Sequence, residues 1–298
     1  MNNKDNKSCA STSINWYPGH MAKTKRRIIE DLKLIDVIIE ILDSRIPISS
    51  RNPDILDITK NKKRIILLNK SDLSNEKANK DWEIYLSKEA PTILTDSNSG
   101  KGIDKVTKTI DKLLEKEKQK QAERGRINKT TRVMILGIPN VGKSSLINRL
   151  SKKVSMQVGN RPGVTREEQW IRIGNNIELL DTPGVLWPKF ESQKVALNLA
   201  FVGTIKDEII EKVEVAYELI KILKKDYLQN ILERYKISYE EIENVNKASN
   251  PEYEIMLLIG RKRGALVSGG NTDDEKIARI ILDDFRNGKL GKITLERI

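Results

Sequence analysis

The sequence has little cysteine, few aromatic residues and no long apolar run. Its one cysteine, Cys9, excludes an intramolecular disulfide and suits a reducing compartment. Aromatic residues make up 5% of the chain and charged residues 32%, a balance typical of a soluble, helix-rich protein rather than a β-sandwich. No apolar stretch approaches the roughly 20 residues that span a bilayer. Residues 1–15 are polar and lack the apolar core of a signal peptide, so we expect a flexible tail and a cytoplasmic protein.

Positive charge is in clear excess. Lys and Arg number 54 against 42 Asp and Glu, which gives a net charge of +12. Such an excess favours a polyanionic partner, nucleic acid first, because Lys and Arg contacts to phosphate release condensed counterions. A well-solvated basic surface is the alternative interpretation.

Apolar runs typical of buried strands alternate with helical patterns in the first part of the chain. The predicted strands are Val37–Leu42, Arg64–Leu68, Thr92–Thr95 and Val133–Leu136. The predicted helices are Ala22–Lys33, Lys77–Lys88, Ile103–Gln121 and Ser144–Leu150, with a polar linker over 122–131. This spacing predicts βαβ units in a mostly parallel sheet with flanking helices. Trp170–Ile173 and Ile177–Leu180 resemble a hairpin.

Beyond about Lys189 the strand patterns stop and helical periodicity dominates, as in Ile209–Lys225 and Glu275–Arg286. A chain of 298 residues is long enough for about two domains, each with its own core. We therefore expect a tail over 1–15, an α/β domain over 16–189 and a smaller all-helical domain over 190–298.

The segment G-I-P-N-V-G-K-S, Gly137–Ser144, follows a predicted strand and opens a predicted helix, which is the context of a phosphate-binding P-loop. Its glycines let backbone N–H groups turn toward phosphate oxygens at the helix N-terminus. We expect Lys143 to reach the β- and γ-phosphates and the Ser144 hydroxyl to ligate Mg²⁺. The remaining predicted phosphate-binding residues are Asn140, Val141, Gly142 and Ser145.

Two later segments fit the parts of a GTPase that sense the third phosphate. In D-T-P-G, Asp181 is placed to hold Mg²⁺ through water and the Gly184 N–H to contact the γ-phosphate. Between this motif and the P-loop lies R-P-G-V-T, Arg161–Thr165, where Thr165 is expected to reach Mg²⁺ when the third phosphate is present. An ordinary loop threonine is the alternative.

A guanine-reading motif, N-K-S-D at Asn69–Asp72, begins where the second predicted strand ends. Asp72 would accept hydrogen bonds from guanine N1–H and the exocyclic amine, a donor pair that adenine lacks, so the motif favours GTP over ATP. Asn69 and Lys70 are expected to brace this loop against the P-loop, with the Lys70 stem over the base. A second guanine loop, placed for backbone N–H contacts to the guanine oxygen, consists of Asp96, Ser97 and Asn98.

The order of these motifs is unusual. An ordinary small GTPase runs P-loop, D-x-x-G and then N-K-x-D, whereas here the guanine motif comes first. A downstream N-K-A-S, Asn246–Ser249, lacks the acid and follows no predicted strand, so it is no substitute. The fold predicted is a circularly permuted P-loop GTPase domain of the α/β class, followed by the all-helical domain.

The residue that orients the attacking water in Ras-type GTPases is missing. Those enzymes carry Gln directly after D-x-x-G, but this chain has Val185 and Leu186, neither of which can hydrogen-bond water. Unaided hydrolysis should therefore be slow. The only histidine, His20, lies in an aromatic-flanked turn before a basic helix, and a neutral imidazole there could accept from a water. A helix cap or a partner contact is the alternative role.

With these motifs the chain resembles the bacterial ribosome biogenesis GTPase A family, also called YlqF. The shared segments are W-Y-P-G-H-M at Trp16–Met21, D-x-R-I-P at Asp43–Pro47, N-K-S-D at Asn69–Asp72, G-I-P-N-V-G-K-S at Gly137–Ser144, R-P-G-V-T at Arg161–Thr165, D-T-P-G-V-L-W-P at Asp181–Pro188 and G-R-K-R-G-A-L-V-S-G-G at Gly260–Gly270. The resemblance covers nearly the whole chain. It implies a circularly permuted GTPase that assists assembly of the large (50S) ribosomal subunit, with rRNA and ribosomal proteins as partners. We expect a monomer.

The resemblance also implies roles that the residues alone do not show. It assigns His20 to the place of the missing Gln, and it assigns Asn140 to a K⁺ ion whose charge would replace an arginine finger. A brace within the loop is the alternative role of Asn140. The helical domain is similar to one that docks on rRNA, consistent with the basic cluster Arg261–Arg263. One departure is Asp96, where relatives tend to have Asn.

Permutation has a mechanical consequence, because the chain leaves the GTPase domain just past the D-x-x-G loop. The exit at Pro188–Ser192 would hold that loop at a covalent junction, so the nucleotide state could alter how the helical domain is presented to RNA. Two competing functions stay open at this point. One is a permuted GTPase that acts on the small subunit, and the other is a nucleotide-gated RNA-binding module with incidental turnover.

Overall fold

In the part of the chain that the computed structural model describes, six strands form one sheet. They are Val37–Asp43 (β1), Lys63–Asn69 (β2), Thr92–Leu94 (β3), Thr131–Leu136 (β4), Trp170–Ile173 (β5) and Ile177–Asp181 (β6). Their order is β3-β2-β1-β4-β6-β5, and every neighbouring pair is parallel except β5 with β6. The described residues are 20–125, 129–152, 170–173, 176–187, 190, 192–267 and 271–298, with the backbone alone for 20–22 and 152.

Helices cover the sheet and then continue without further strands to the end of the described chain. Those among the strands are His20–Asp31 (α1), Pro53–Thr59 (α2), Glu76–Ser87 (α3), Ile103–Glu123 (α4) and Lys143–Lys152 (α5). Those after the sheet are Gln193–Phe201 (α6), Lys212–Asp226 (α7), Leu228–Tyr235 (α8), Tyr239–Val245 (α9), Pro251–Arg263 (α10) and Asp274–Arg286 (α11).

Strand β1 shows why the sheet is buried on both faces. Val37, Ile39 and Ile41 contribute to the core beneath α4 and α5, whereas Ile38 and Leu42 point to the opposite face, beneath α1, α2 and α3. Every residue of the strand is buried, as in parallel sheets that carry helices on both sides. The unbroken apolar run in the sequence follows from this double burial.

The core of the first face continues into the helices after the sheet. Leu186 and Trp187, which follow the D-x-x-G turn, pack in the same cluster as Leu199 of α6 and Leu219 of α7. The chain end also returns toward the sheet, because Leu295 N–H donates to Arg45 O at 2.8 Å. The division at residue 190 stays a prediction.

The predicted strands and the β5–β6 hairpin are confirmed to within a few residues, and so is the change to an all-helical C-terminal region. Helix α2 was not predicted. Local residues nevertheless favour a helix start here. The Asn52 side chain accepts a hydrogen bond from Asp54 N–H, and Pro53 occupies the first turn. Helix α4 runs two residues past its predicted end, into the segment read as a linker. Within the described residues no helix is long and apolar enough to cross a membrane.

Candidate nucleotide-binding site

The sheet reverses its winding direction between β1 and β4, and the candidate site lies at the carboxyl ends of these strands. Ligands of open α/β sheets bind at such a switch point. Strand β4 ends at Leu136 and α5 begins at Lys143, so the P-loop spans the turn between them. Asn140 and Gly142 adopt left-handed backbone angles there, with φ of 60° and 105°.

A cavity of about 650 Å³ opens at this turn. It is lined by Pro139, Asn140, Gly142, Lys143, Ser144, Ser145, Asp181, Thr182, Pro183 and Gly184. The lining therefore comes from the P-loop and the D-x-x-G turn, which the sequence separates by about 40 residues.

The side chain of Lys143 contributes positive charge to this cavity. Its ammonium donates to Gly137 O at 3.1 Å and to Ile138 O at 2.9 Å, and only 8% of the residue is exposed. Burial lowers the pKa of Lys143 to about 8, although the nearby Asp181 carboxylate acts in the opposite direction. Burial likewise raises the pKa of Asp181, opposed by Lys143. Two loop carbonyls thus hold a buried ammonium in the place where a phosphate would interact with it.

The D-x-x-G turn lies directly on the P-loop. A Cβ at Gly184 would lie 2.7 Å from Pro139 N and 2.9 Å from the Lys143 ammonium, so only glycine allows this approach. Val185 and Leu186 beyond it are 5% and 1% exposed. Their burial confirms that neither side chain is available to orient a water.

Asn69 joins the guanine motif to the phosphate loop. Its amide donates to Val141 O at 2.8 Å, and its side-chain oxygen accepts from Thr95 Oγ1, Ser97 N–H and Ser97 Oγ at 3.2, 3.1 and 2.8 Å. A Cβ at Gly142 would lie 2.3 Å from the Asn69 amide nitrogen. One buried side chain therefore connects the P-loop and both predicted guanine loops.

Lys70 is held in place by an ion network that starts at the end of β1. Its φ is 59°, and its ammonium lies 3.0 Å from the Asp43 carboxylate. Arg45, which is 1% exposed, binds the same carboxylate through Nε and Nη2 at 2.9 and 2.8 Å. Burial acts to raise the pKa of Asp43, but Arg45 and Lys70 together hold it far below its usual range. The D-x-R-I-P motif thus supports the guanine motif.

Asp72 has an exposed side chain, as expected of a group that receives a ligand. Neighbouring atoms nevertheless desolvate part of its carboxylate, and this desolvation and the charge of nearby Asp96 raise its pKa. A guanine that donates two hydrogen bonds would stabilise the charged form and reverse this shift.

The loop at Asp96–Asn98 differs from its prediction in the use of its amides. The Asp96 carboxylate accepts from Asn98 N–H at 2.8 Å and from Ser99 N–H at 3.2 Å, while Ser97 N–H binds Asn69. The amides proposed for the guanine oxygen are thus engaged within the protein. A carboxylate is a strong acceptor for backbone N–H groups, which accounts for the closed loop.

Asn140 contacts the helical region. Its amide donates to Gly203 O at 2.6 Å, and Thr204 Oγ1 donates to Pro139 O at 3.3 Å. Gly203 follows α6, so the phosphate loop touches the helices after the sheet. The sequence motif indicated nothing of this contact.

Two predicted residues lie outside what the structure describes: Thr165, and the side chain of His20. The helix that His20 begins is described, and Lys25 in it pairs with Asp54 at 2.9 Å. Asn52, two residues earlier, donates to Val185 O at 3.0 Å. The N-terminal half of α1 is therefore linked by α2 to the residue that follows Gly184.

Comparison with known proteins agrees with this geometry. A family model described as 50S ribosome-binding GTPase matches residues 132–258. Ribosome biogenesis GTPase A of Bacillus cereus is 42% identical, over 95% of this chain and 93% of its own length. The protein of that name in Thermotoga maritima is 31% identical, over 95% and 94%. The chain belongs to the ribosome biogenesis GTPase A family.

Two solved structures of this family carry guanine nucleotides. GDP-bound TM YlqF has a TM-score of 0.64 at 28% identity, covering 91% of this chain and 99% of that one. GNP-bound YlqF from T. maritima has a TM-score of 0.62 at 27% identity, covering 92% and 98%. The chain is therefore a ribosome-assembly GTPase of the α/β class that binds guanine nucleotides and hydrolyses GTP.

Proposed function

We propose that this GTPase assists assembly of the large (50S) ribosomal subunit and binds its rRNA in a nucleotide-dependent way. The observation that carries the proposal is the Asn69 bridge, since it joins base loop and phosphate loop into one site despite their reversed order. The large subunit is favoured by the description of the matching family model. The exposed basic residues Arg261, Lys262 and Arg263 at the end of α10 supply a contact for RNA phosphates. Such a factor would act as a monomer in the cytoplasm, where subunits are assembled.

Within this site we assign Asp72 to the guanine edge and Lys143 to the β- and γ-phosphates, with Ser145 and the P-loop amides around them. Ser144 and Asp181 both line the cavity, and Mg²⁺ commonly binds one or two such side chains together with substrate phosphates. Thr165 is assigned to the same ion. The bound ion would neutralise charge that develops on the phosphates.

Asn140 is the proposed K⁺ ligand. Its amide nitrogen is engaged by Gly203 O, which leaves the side-chain oxygen for a cation. GTP turnover should accordingly be faster in KCl than in NaCl at equal ionic strength. Equal rates would remove K⁺ from the assignment.

His20 is the proposed substitute for the missing Gln. The proposal is supported by the burial of Val185 and Leu186 and by the link from α1 through Asp54 and Asn52 to Val185. A His20→Ala variant should bind GDP normally and lose stimulated turnover. Turnover that persists in this variant would leave His20 with a structural role.

The decisive test of the function is GTP hydrolysis with and without purified large subunits. Stimulation by large but not small subunits supports the proposal, together with co-sedimentation of the protein with large-subunit particles. Stimulation by small subunits would favour the small-subunit alternative. No stimulation by either would favour an RNA-binding module with incidental turnover.

Nucleotide dependence is tested by the affinity for large-subunit precursors with GDP or with a non-hydrolysable GTP analogue. The proposed route runs from Gly184 through the buried Val185–Trp187 segment into the core shared with α6. Equal affinities would remove its basis.

A further inference from the structure

The C-terminal turn and tail of the chain contact the guanine loop directly. Helix α11 ends at Arg286, and Gly288 in the following turn has a φ of 69°. A Cβ at Gly288 would lie 2.6 Å from Cδ2 of Leu73, the residue immediately after Asp72. The side chain of Leu73 is thus in contact with a turn about 215 residues downstream.

The tail beyond this turn forms hydrogen bonds with backbone groups of the same loop. Ile293 N–H donates to Leu73 O at 3.0 Å. Asn75 N–H donates to Thr294 Oγ1, also at 3.0 Å. Ile293 and Thr294 are 1% and 2% exposed, so these bonds do not compete with water. Both ends of the short segment that follows Asp72 are therefore held by the tail.

The tail is in turn fixed to the helical region. Tyr227, between α7 and α8, donates its hydroxyl to Thr294 O at 2.7 Å and accepts from Thr294 N–H at 3.1 Å. Asn230 of α8 donates to Leu290 O at 2.7 Å. The guanine loop thus contacts a tail that is itself hydrogen-bonded to α8 and to the residue before it.

We propose that the segment Gly288–Thr294 positions Asp72 for guanine recognition, and this rests on the assignment of Asp72 to the base. Hydrogen bonds to a carboxylate depend strongly on distance and angle, so a loop that must reject other bases needs support behind it. Leu73, Gly288, Ile293 and Thr294 are positioning residues in this sense and do not touch the nucleotide. The helical region then contributes to base selection as well as to partner binding.

Two glycines allow a matched test. A Cβ at Gly288 would lie 2.6 Å from a side-chain atom of Leu73 in the guanine loop. A Cβ at Gly260 of α10 would lie 2.4 Å from a side-chain atom of Ile277 in α11. Gly288→Ala and Gly260→Ala therefore both introduce a close side-chain contact, but only the first pushes on the guanine loop. Thr294→Val is an independent variant that keeps the side-chain shape and removes the acceptor for Asn75 N–H.

The readout is the ratio of the Kd values for IDP and GDP, measured by titration calorimetry on the full chain. Inosine lacks the exocyclic amine, so the ratio reports the contact to Asp72. We expect Gly288→Ala and Thr294→Val to reduce the ratio by about tenfold, which is the lower end of the value of one hydrogen bond to a charged group. Gly260→Ala should keep the ratio of the unaltered chain, even if its melting temperature falls equally.

An unchanged ratio in both Gly288→Ala and Thr294→Val would overturn the inference, provided that Asp72→Asn abolishes the preference for GDP. If Asp72→Asn keeps that preference, the assignment of the guanine site itself fails, and the positioning role fails with it. The two failures are thus distinguishable in one set of titrations.

Discussion

Replacement of Asn69 by alanine should separate the two halves of the nucleotide site. Asn69 is 2% exposed and takes part in four hydrogen bonds, one to Val141 of the P-loop and three to Thr95 and Ser97. Alanine removes all four and leaves three donors and one acceptor without their partner. The P-loop and the guanine loops would then lose their direct side-chain connection.

The magnitude follows from the burial of these groups. An unsatisfied buried polar group costs about 1–3 kcal/mol, and water that enters the vacated space recovers part of that loss. We therefore expect a loss of about 2–4 kcal/mol in the free energy of unfolding. GDP affinity should fall by about one to two orders of magnitude, since base and phosphate loops no longer hold a common geometry.

The assay is titration with a fluorescent GDP analogue, with thermal unfolding recorded in the presence and absence of GDP. Asn198→Ala is a matched control, because Asn198 is 1% exposed and donates to Ser49 and Glu296, away from both loops. The control should lose stability and keep its GDP affinity. Wild-type GDP affinity in Asn69→Ala would show that the Asn69 hydrogen bonds do not contribute to nucleotide binding.

Three further changes give outcomes of known sign. The pKa of Lys143 is about 8 in the free protein, and a bound phosphate raises it. GDP affinity measured by calorimetry should therefore be full below pH 8 and should fall above pH 8 by up to tenfold per pH unit. Asp72→Asn should shift the preference from GDP to xanthosine diphosphate, because the new side-chain amide donates to the xanthine carbonyl; competition binding tests this shift. Arg45→Met should lower the free energy of unfolding, measured in urea, by about 3–5 kcal/mol, because Lys70 is then the one cation left to Asp43 among the residues that the structure describes; a loss within error would contradict the buried pair.

Local patterns predicted the strands, the P-loop and the meeting of Asn69 with that loop. These features depend on the periodicity of apolar residues and on the chemistry of short motifs, and both can be recognised from a few neighbouring residues. The ion network of Asp43, Arg45 and Lys70 was not predicted. The D-x-R-I-P motif was recognised in the sequence, but only the folded structure brings Lys70 next to Asp43. The Ile293–Leu73 bond joins residues about 220 positions apart and has no local signal. The closed conformation of the Asp96 loop could not be predicted, because the residue types alone do not show whether its backbone amides bind protein acceptors or the guanine oxygen.

We expect one guanine nucleotide to be bound by two sets of motifs that the chain encodes in reversed order. A crystal structure of the chain with GDP tests it most directly. We expect the Asp72 carboxylate within hydrogen-bond distance of guanine N1 and the exocyclic amine, and the Lys143 ammonium on the β-phosphate of the same molecule. A base turned away from Asp72, or phosphates bound outside Gly137–Ser144, would show that the two sets of motifs do not form one site.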